Sequence, residues 1–307
     1  MKGNLPTVSE ADVAEKRVVV RVDLDMPNAH NPRVTTTEEI IKWLLEKKAA
    51  SIKAIGHRGE YLIIHDLRQK FPSVEWSDRL RDDAREKENN INYAGELAGD
   101  CEVYINEAFA VSHRVHTSIV ALPKMIKERG GKVFAGLRFA KEIASLDQVW
   151  THPGWKVLVI GGAKAADKAE YAMKLAGKVD RVMVGGLLPQ AIEETAANIY
   201  PGILREDEKD LTDETIADFC KQISAARIII LAGPMGRFEE PGSEKGTKEI
   251  FSAIAGSMAY KVAGGGNTED ALSKFGLTEK FDWISVGGGA MLEYLATGTL
   301  PGLEALL

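Results

Sequence analysis

The sequence predicts an α/β protein with two parallel-sheet domains. Three observations carry this reading. Short apolar runs of strand length recur along the chain, segments with helical spacing separate them, and 307 residues at ~150 per domain leave room for two cores. Strands joined by helices pair in parallel, with helices covering both faces of the sheet.

In the first half, Arg17–Val22 (RVVVRV), Ser51–Ile55 and Glu102–Ile105 read as strands, and Thr37–Lys48 and Tyr61–Phe71 read as helices. Thr36 and Glu39 have the spacing of a capping box opening the first helix. Lys132–Leu146 reads as a helix with no strand partner. Turn residues crowd Asp147–Gly154, so the domain junction is expected there, with the helix as connector. In the second half the strands are Lys156–Ile160, Arg181–Val184, Arg227–Leu231, Tyr260–Ala263 and Trp283–Val286. Helices are expected near Lys164–Ala176, Leu188–Asn198, Asp213–Ser224, Glu244–Ser257, Thr268–Phe275 and Ala290–Leu295. No internal repeat or low-complexity tract interrupts the alternation.

Composition excludes several classes. No apolar run reaches the ~18 residues of a membrane span, and Met1–Arg17 is too polar for a signal peptide, so a cytoplasmic protein with no membrane partner is expected. A net charge of −6 argues against a broad nucleic-acid surface. Cys101 and Cys220 are expected as two buried thiols rather than a disulfide. All six histidines lie before residue 154, whereas 21 of the 29 glycines lie from residue 154 onward, so the two halves have different tasks.

Four glycine clusters share one position: Gly161–Gly162, Gly185–Gly186, Gly264–Gly266 and Gly287–Gly289 each follow a strand and precede a helix. A helix start offers unpaired N–H groups, and glycine lets a phosphate approach the backbone. Four such corners along one sheet edge favour a nucleotide or phosphate ligand. Neither the G-x-x-x-x-G-K-[ST] loop nor a dinucleotide fingerprint is present. In GGAKAADK (Gly161–Lys168), Lys164 and Lys168 stand four apart beside a glycine corner, where two ammonium groups could hold a polyphosphate and offset charge on a moving phosphoryl group. No set of metal ligands is read from the sequence.

Six segments, in order, resemble the phosphoglycerate kinase family: RVDLDMP (Arg21–Pro27), INEAFAVSHRVHTS (Ile105–Ser118), GGAKAADK, AGPMGRFE (Ala232–Glu239), GGGNT (Gly264–Thr268) and the Gly287–Gly302 tail. The resemblance implies two Rossmann-like domains facing each other across a hinge: residues 1–140 for the phosphoglycerate acceptor, 141–296 for the nucleotide, and 297–307 returning to the first domain. It implies ATP or ADP with Mg²⁺ and 3-phosphoglycerate as partners, and a monomer is expected. Lys164, Lys168 and Arg114 would be catalytic. Arg21, Asp23, Asp25, His57, Arg81 and Arg114 would meet the acceptor. Gly161, Gly162, Lys164, Lys168, Gly265, Gly266, Asn267 and Thr268 would meet the nucleotide phosphates and their surroundings, with Pro234, Met235, Gly185 and Gly186 at the base and Glu239 at the ribose.

Five positions depart from the family pattern. Asp25 and Ala232 stand where asparagines are usual, Glu39 and Glu60 where arginines are usual, and Asn267 where an acidic residue is usual. The acceptor side thereby becomes five charge units more negative, each worth about 2–3 kcal/mol at ~6 Å and an effective dielectric of ~20 before screening. Arg33 and Arg58 lie near the lost arginines and are candidates to compensate. The chain is also shorter than usual, and a strand-bearing segment between Gly186 and Arg227 is expected to be missing. The leading expectation is a shortened, divergent phosphoglycerate kinase. The alternatives are a nucleotide-binding relative with impaired catalysis and a kinase for a different acceptor.

Overall fold

The computed structural model describes residues 4–25, 32–57, 61–162, 165–192 and 196–307. By internal contacts the chain divides into two compact units, residues 1–144 with 299–307, and residues 145–298.

The first unit carries a five-stranded parallel sheet. In chain order its elements are β1 (Arg17–Arg21), α1 (Pro32–Glu46), β2 (Ser51–Ile55), α2 (Tyr61–Lys70), β3 (Val74–Ser77), α3 (Ile91–Ala98), β4 (Val103–Asn106), α4 (Leu122–Glu128) and β5 (Lys132–Ala135). The spatial order is β3-β2-β1-β4-β5, all neighbours parallel. β1 and β4 are buried along almost their whole length, which is why they read as continuous apolar runs rather than alternating ones. α5 (Leu137–Thr151) crosses the division between the units, and α11 (Pro301–Glu304) returns the chain to the first unit, where the Gly302 amide donates to the Ser112 carbonyl at 2.9 Å.

The second unit carries a six-stranded parallel sheet. Its elements are β6 (Lys156–Ile160), α6 (Ala165–Ala176), β7 (Arg181–Val184), β8 (Ile199–Pro201), α7 (Asp213–Ile223), β9 (Ile228–Ala232), α8 (Lys245–Gly256), β10 (Tyr260–Gly264), α9 (Gly266–Lys274), β11 (Trp283–Ser285) and α10 (Gly288–Thr297). The order β11-β10-β9-β6-β7-β8 reverses direction between β6 and β9. The two sheets thus bear out the expected pair of parallel α/β domains.

Several local expectations are corrected. Lys132–Ala135 is a strand paired with β4, not the start of a helix; only Gly136 separates it from α5, so the two apolar patterns run together in sequence. α1 begins at Pro32, whose fixed φ suits a first helical turn. Thr36 therefore lies inside the helix, its hydroxyl donating back to the Arg33 carbonyl at 3.1 Å rather than capping. The expected helix Leu188–Asn198 is a single 3₁₀ turn, Leu188–Ala191, and Asn198 leads into β8. The region between Gly186 and Arg227 therefore does hold a strand, a three-residue edge strand ending in Pro201. β3, at an edge of the first sheet, is missed as well, because only Val74 in it is buried. Cys101 and Cys220 are free thiols, half-buried rather than buried.

Candidate functional site

In parallel sheets, ligands bind beyond the carboxyl ends of the strands, where the strand order reverses. Each unit places its candidate residues there. In the first unit the reversal lies between β1 and β4. Asp23 and Asp25 follow β1, His57 follows β2, Arg81 and Glu86 follow β3, and Arg114 and His116 follow β4.

Arg81 Nη1 stands 3.5 Å from Asp25 Oδ2. Arg33, on the first turn of α1, reaches the same place: its Nη1 donates to the Asp25 carbonyl at 2.9 Å and lies 3.4 Å from Asp23 Oδ2. Arg114 is exposed, its Nε donating to His113 Nε2 at 3.4 Å. Glu39 is also exposed on α1. Glu60 and Arg58 lie outside the described residues.

Arg21 and His57 are not at the surface. Arg21, on β1, is fully buried; its Nε donates to Ser118 Oγ at 2.9 Å and its Nη1 to the Val22 carbonyl. Burial lowers its pKa, against the opposing pull of Glu86 and Asp23. His57 is 1% exposed, with Nε2 2.9 Å from Glu86 Oε1 and 3.3 Å from His116 Nδ1. Burial, then the Arg21 charge, depresses the His57 pKa to about 4, and burial followed by His57 does the same for His116. Burial alone would raise the pKa of Glu86, but hydrogen bonds from His57 and Ser118, with Arg21 nearby, hold it below the usual value. Close to these arginines, then, lies a buried neutral imidazole pair on an ionised carboxylate.

In the second unit the reversal lies between β6 and β9, and the corners after these strands touch. Lys168 Nζ donates to the carbonyls of Gly161, at 2.6 Å, and Ala232, at 3.0 Å, so its ammonium group sits on the reversal point. Lys164 lies outside the described residues. A Cβ on Gly233, at φ +106°, would lie 2.2 Å from the Gly161 carbonyl oxygen and 2.3 Å from Lys168 Nζ; one on Gly186 would lie 2.4 Å from the Gly162 amide nitrogen. These glycines are required by corner-on-corner packing as much as by any ligand. Met235 is fully buried, and Cβ atoms at Gly161 and Gly185 would run into its side chain, so it supports both corners from below. Pro234 is buried as well, and Glu239 is exposed.

Thr268 is not free to meet a phosphate through its hydroxyl. Its Oγ1 accepts from the Gly233 amide at 2.8 Å and donates to the Gly264 carbonyl at 2.9 Å, bracing β9 against β10. Gly266 and Asn267 are exposed at the start of α9, and nothing lies within 4 Å of a Cβ built on Gly266. This helix start, together with the Lys168 ammonium, can hold anionic oxygens. Sequence reasoning assigned no role to Glu86, His116 or Ser118. His116 and Ser118 fall in a quoted motif, whereas Glu86 sits in a charged stretch with no periodic signal.

A family model described as phosphoglycerate kinase matches residues 76–200 and 201–298. A phosphoglycerate kinase of Solibacter usitatus is 28% identical over 389 positions, covering 98% of both chains. At least 82 of those positions face a gap in this 307-residue chain. One from Geobacter metallireducens is 31% identical over 72% of this chain and 68% of its own. The fold is similar to the phosphoglycerate kinase structures from Coxiella burnetii (TM-score 0.80, 23% identity, 99% of each chain) and Pyrococcus horikoshii (TM-score 0.80, 24% identity, 98% of each).

Proposed function

Because this chain belongs to the phosphoglycerate kinase family, we propose that it transfers a phosphoryl group between 1,3-bisphosphoglycerate and ADP, reversibly, as a glycolytic enzyme of the cytoplasm. The observation that carries the reading is the Lys168 ammonium fixed on the reversal point of the second sheet, beside glycine corners and an open helix start. An acyl phosphate is already an activated donor, so transfer needs positioning and charge stabilisation rather than a covalent nucleophile.

In this proposal Lys168 and the amides at Gly162, Gly265 and Gly266 hold the nucleotide phosphates, the corners at Gly161, Gly185 and Gly186, whose own amides are spent on backbone carbonyls, shape the pocket beside them, and Lys164 accompanies the phosphoryl group in transfer. Met235 acts from beneath, supporting the corners that border the base site beside Pro234, and Glu239 meets the ribose. Mg²⁺ arrives with the nucleotide and neutralises phosphate charge. Asn267, exposed and uncharged, offers an amide oxygen to the ion's water shell in place of a carboxylate. Arg33, Arg81 and Arg114 receive the phosphate and carboxylate of 3-phosphoglycerate, and Asp23 and Asp25 orient the guanidinium groups. Arg21 and His57 set the patch from behind. Transfer requires the two half-sites to come together, for which hinge closure is the family's means.

A coupled assay with ATP and 3-phosphoglycerate tests the reading. Turnover that Lys164→Ala abolishes without unfolding the chain supports it; unchanged turnover in that variant overturns the assignment. The second reading is a nucleotide-binding relative with impaired catalysis, favoured by Glu39, Asp25, Ala232 and Asn267. Calorimetric binding of ADP without binding of 3-phosphoglycerate would select it.

A further inference from the structure

The histidine–glutamate cluster behind the arginines has a geometry that hydrogen bonding alone does not use up. His57 Nε2, His116 Nδ1 and Glu86 Oε1 converge, with separations of 2.9, 3.3 and 3.9 Å. At most one proton can lie between His57 and Glu86. If His57 Nε2 carries it, His116 Nδ1 faces an N–H already given to the carboxylate. If it does not, the His57 Nε2 lone pair confronts the Glu86 carboxylate at 2.9 Å. In each case one of the three close contacts is left without a hydrogen bond.

We propose that His57, Glu86 and His116 form a binding site for a single divalent transition-metal ion of the zinc type. The point equidistant from the three atoms lies about 2.0 Å from each, and a small displacement out of their plane gives about 2.1 Å, the length of zinc bonds to imidazole and carboxylate. The displaced position leaves a fourth, open vertex. Two imidazoles with one carboxylate suit zinc, whereas magnesium is held by oxygen donors and water.

The surroundings hold the carboxylate ligand as an outer shell should. Ser118 Oγ donates to Glu86 Oε1 at 2.6 Å and the Ser118 amide to Oε2 at 3.0 Å; Tyr104 Oη in turn holds the Ser118 carbonyl at 2.8 Å. Binding at Nε2 places the His57 proton on Nδ1, an atom with no hydrogen-bond partner among the described residues. No proton is gained or lost overall; it moves between the two nitrogens of one ring. Arg21, Arg81 and Arg114 lie within electrostatic reach and weaken cation binding, but they favour an anionic oxygen at the open vertex.

The site goes beyond the phosphotransferase reading and is tested without turnover. The chelator-stripped protein is titrated with ZnCl₂ by calorimetry at neutral pH, with Co²⁺ as a spectroscopic probe. One saturable equivalent is expected, together with a rise in Tm and a tetrahedral Co²⁺ absorption band. His116→Ala and Glu86→Gln should each weaken binding about a hundredfold and remove the band. Should Glu86→Gln not fold, His116→Ala, nearer the surface, decides alone. A wild-type chain with no saturable Zn²⁺ binding, or a His116→Ala chain that keeps the full equivalent and band, overturns the proposal. Loss of phosphoryl transfer with zinc binding intact would instead count against the enzymatic reading only.

Discussion

Glu107 follows β4 and is buried where α5 begins. Its Oε1 accepts from the Arg138 amide at 2.7 Å, while Oε2 has no hydrogen-bond partner among the described residues. Burial raises its pKa from 4.5 to about 8, only partly offset by the Arg138 amide and charge. The unfolded chain releases this proton near pH 4.5, whereas the folded chain keeps it to about pH 8. Between those values the folded state binds more protons, so stability falls as pH rises through the window. At 1.36 kcal/mol per unit, the loss between pH 5 and pH 8 is on the order of 3 kcal/mol. Glu107→Gln copies the protonated side chain, keeping an acceptor for Arg138 and adding no charge. Urea denaturation of wild type and variant at pH 5, 6.5 and 8 isolates the contribution as a difference, cancelling other titrating groups. The variant should gain on the wild type by about 3 kcal/mol across this range. A difference that stays flat to within about 0.5 kcal/mol would refute the argument.

Other outcomes follow from the two half-sites. Lys168→Met removes the ammonium between the Gly161 and Ala232 carbonyls; kcat should fall by about 10²-fold or more, with a stability loss of about 1–3 kcal/mol in denaturant titrations. Arg33→Ala should raise KM for 3-phosphoglycerate about tenfold while leaving KM for ATP unchanged, as steady-state kinetics would show. Thr268→Val leaves the Gly233 amide and Gly264 carbonyl without their shared hydroxyl and should cost about 1–3 kcal/mol by thermal unfolding. Binding of 3-phosphoglycerate at Arg33, Arg81 and Arg114 should weaken between about 50 mM and 500 mM salt, which calorimetry can follow.

Legibility in the sequence followed burial. The central strands β1, β2, β6 and β7 are recovered to within a residue because parallel strands covered on both faces are continuous apolar runs. The edge strands β3 and β8 carry too little buried surface to show, and β5 is hidden because its pattern runs through Gly136 into α5. The glycine corners were visible as a class, but their division of labour was not. Gly161, Gly185, Gly186 and Gly233 accommodate neighbouring backbone or Met235, while Gly266 opens to solvent, and only spatial proximity separates the two groups. Thr268 and Met235 looked like ligand contacts from their motifs, yet the structure places the first in a brace and the second under the corners. Glu86 could not have been found, since its role depends on residues 29 and 32 positions away.

The charge added at position 25 looks more damaging in sequence than it is in space. An aspartate at position 25 would repel an incoming phosphate if it stood alone. Here its carboxylate lies 3.5 Å from Arg81, and its backbone carbonyl holds Arg33. Arg33 comes from the first turn of the helix that also carries Glu39, so one element brings both this guanidinium and the substituted carboxylate. Pairing of this kind leaves guanidinium N–H groups oriented but lowers the net field, which an anionic substrate feels mainly in affinity and rate of encounter. An active enzyme with this patch should therefore show a high KM for the acceptor and an ordinary one for the nucleotide. The reverse pattern would mean that the defect lies at Asn267 and Ala232, and that the arginine rearrangement has restored the acceptor half in full.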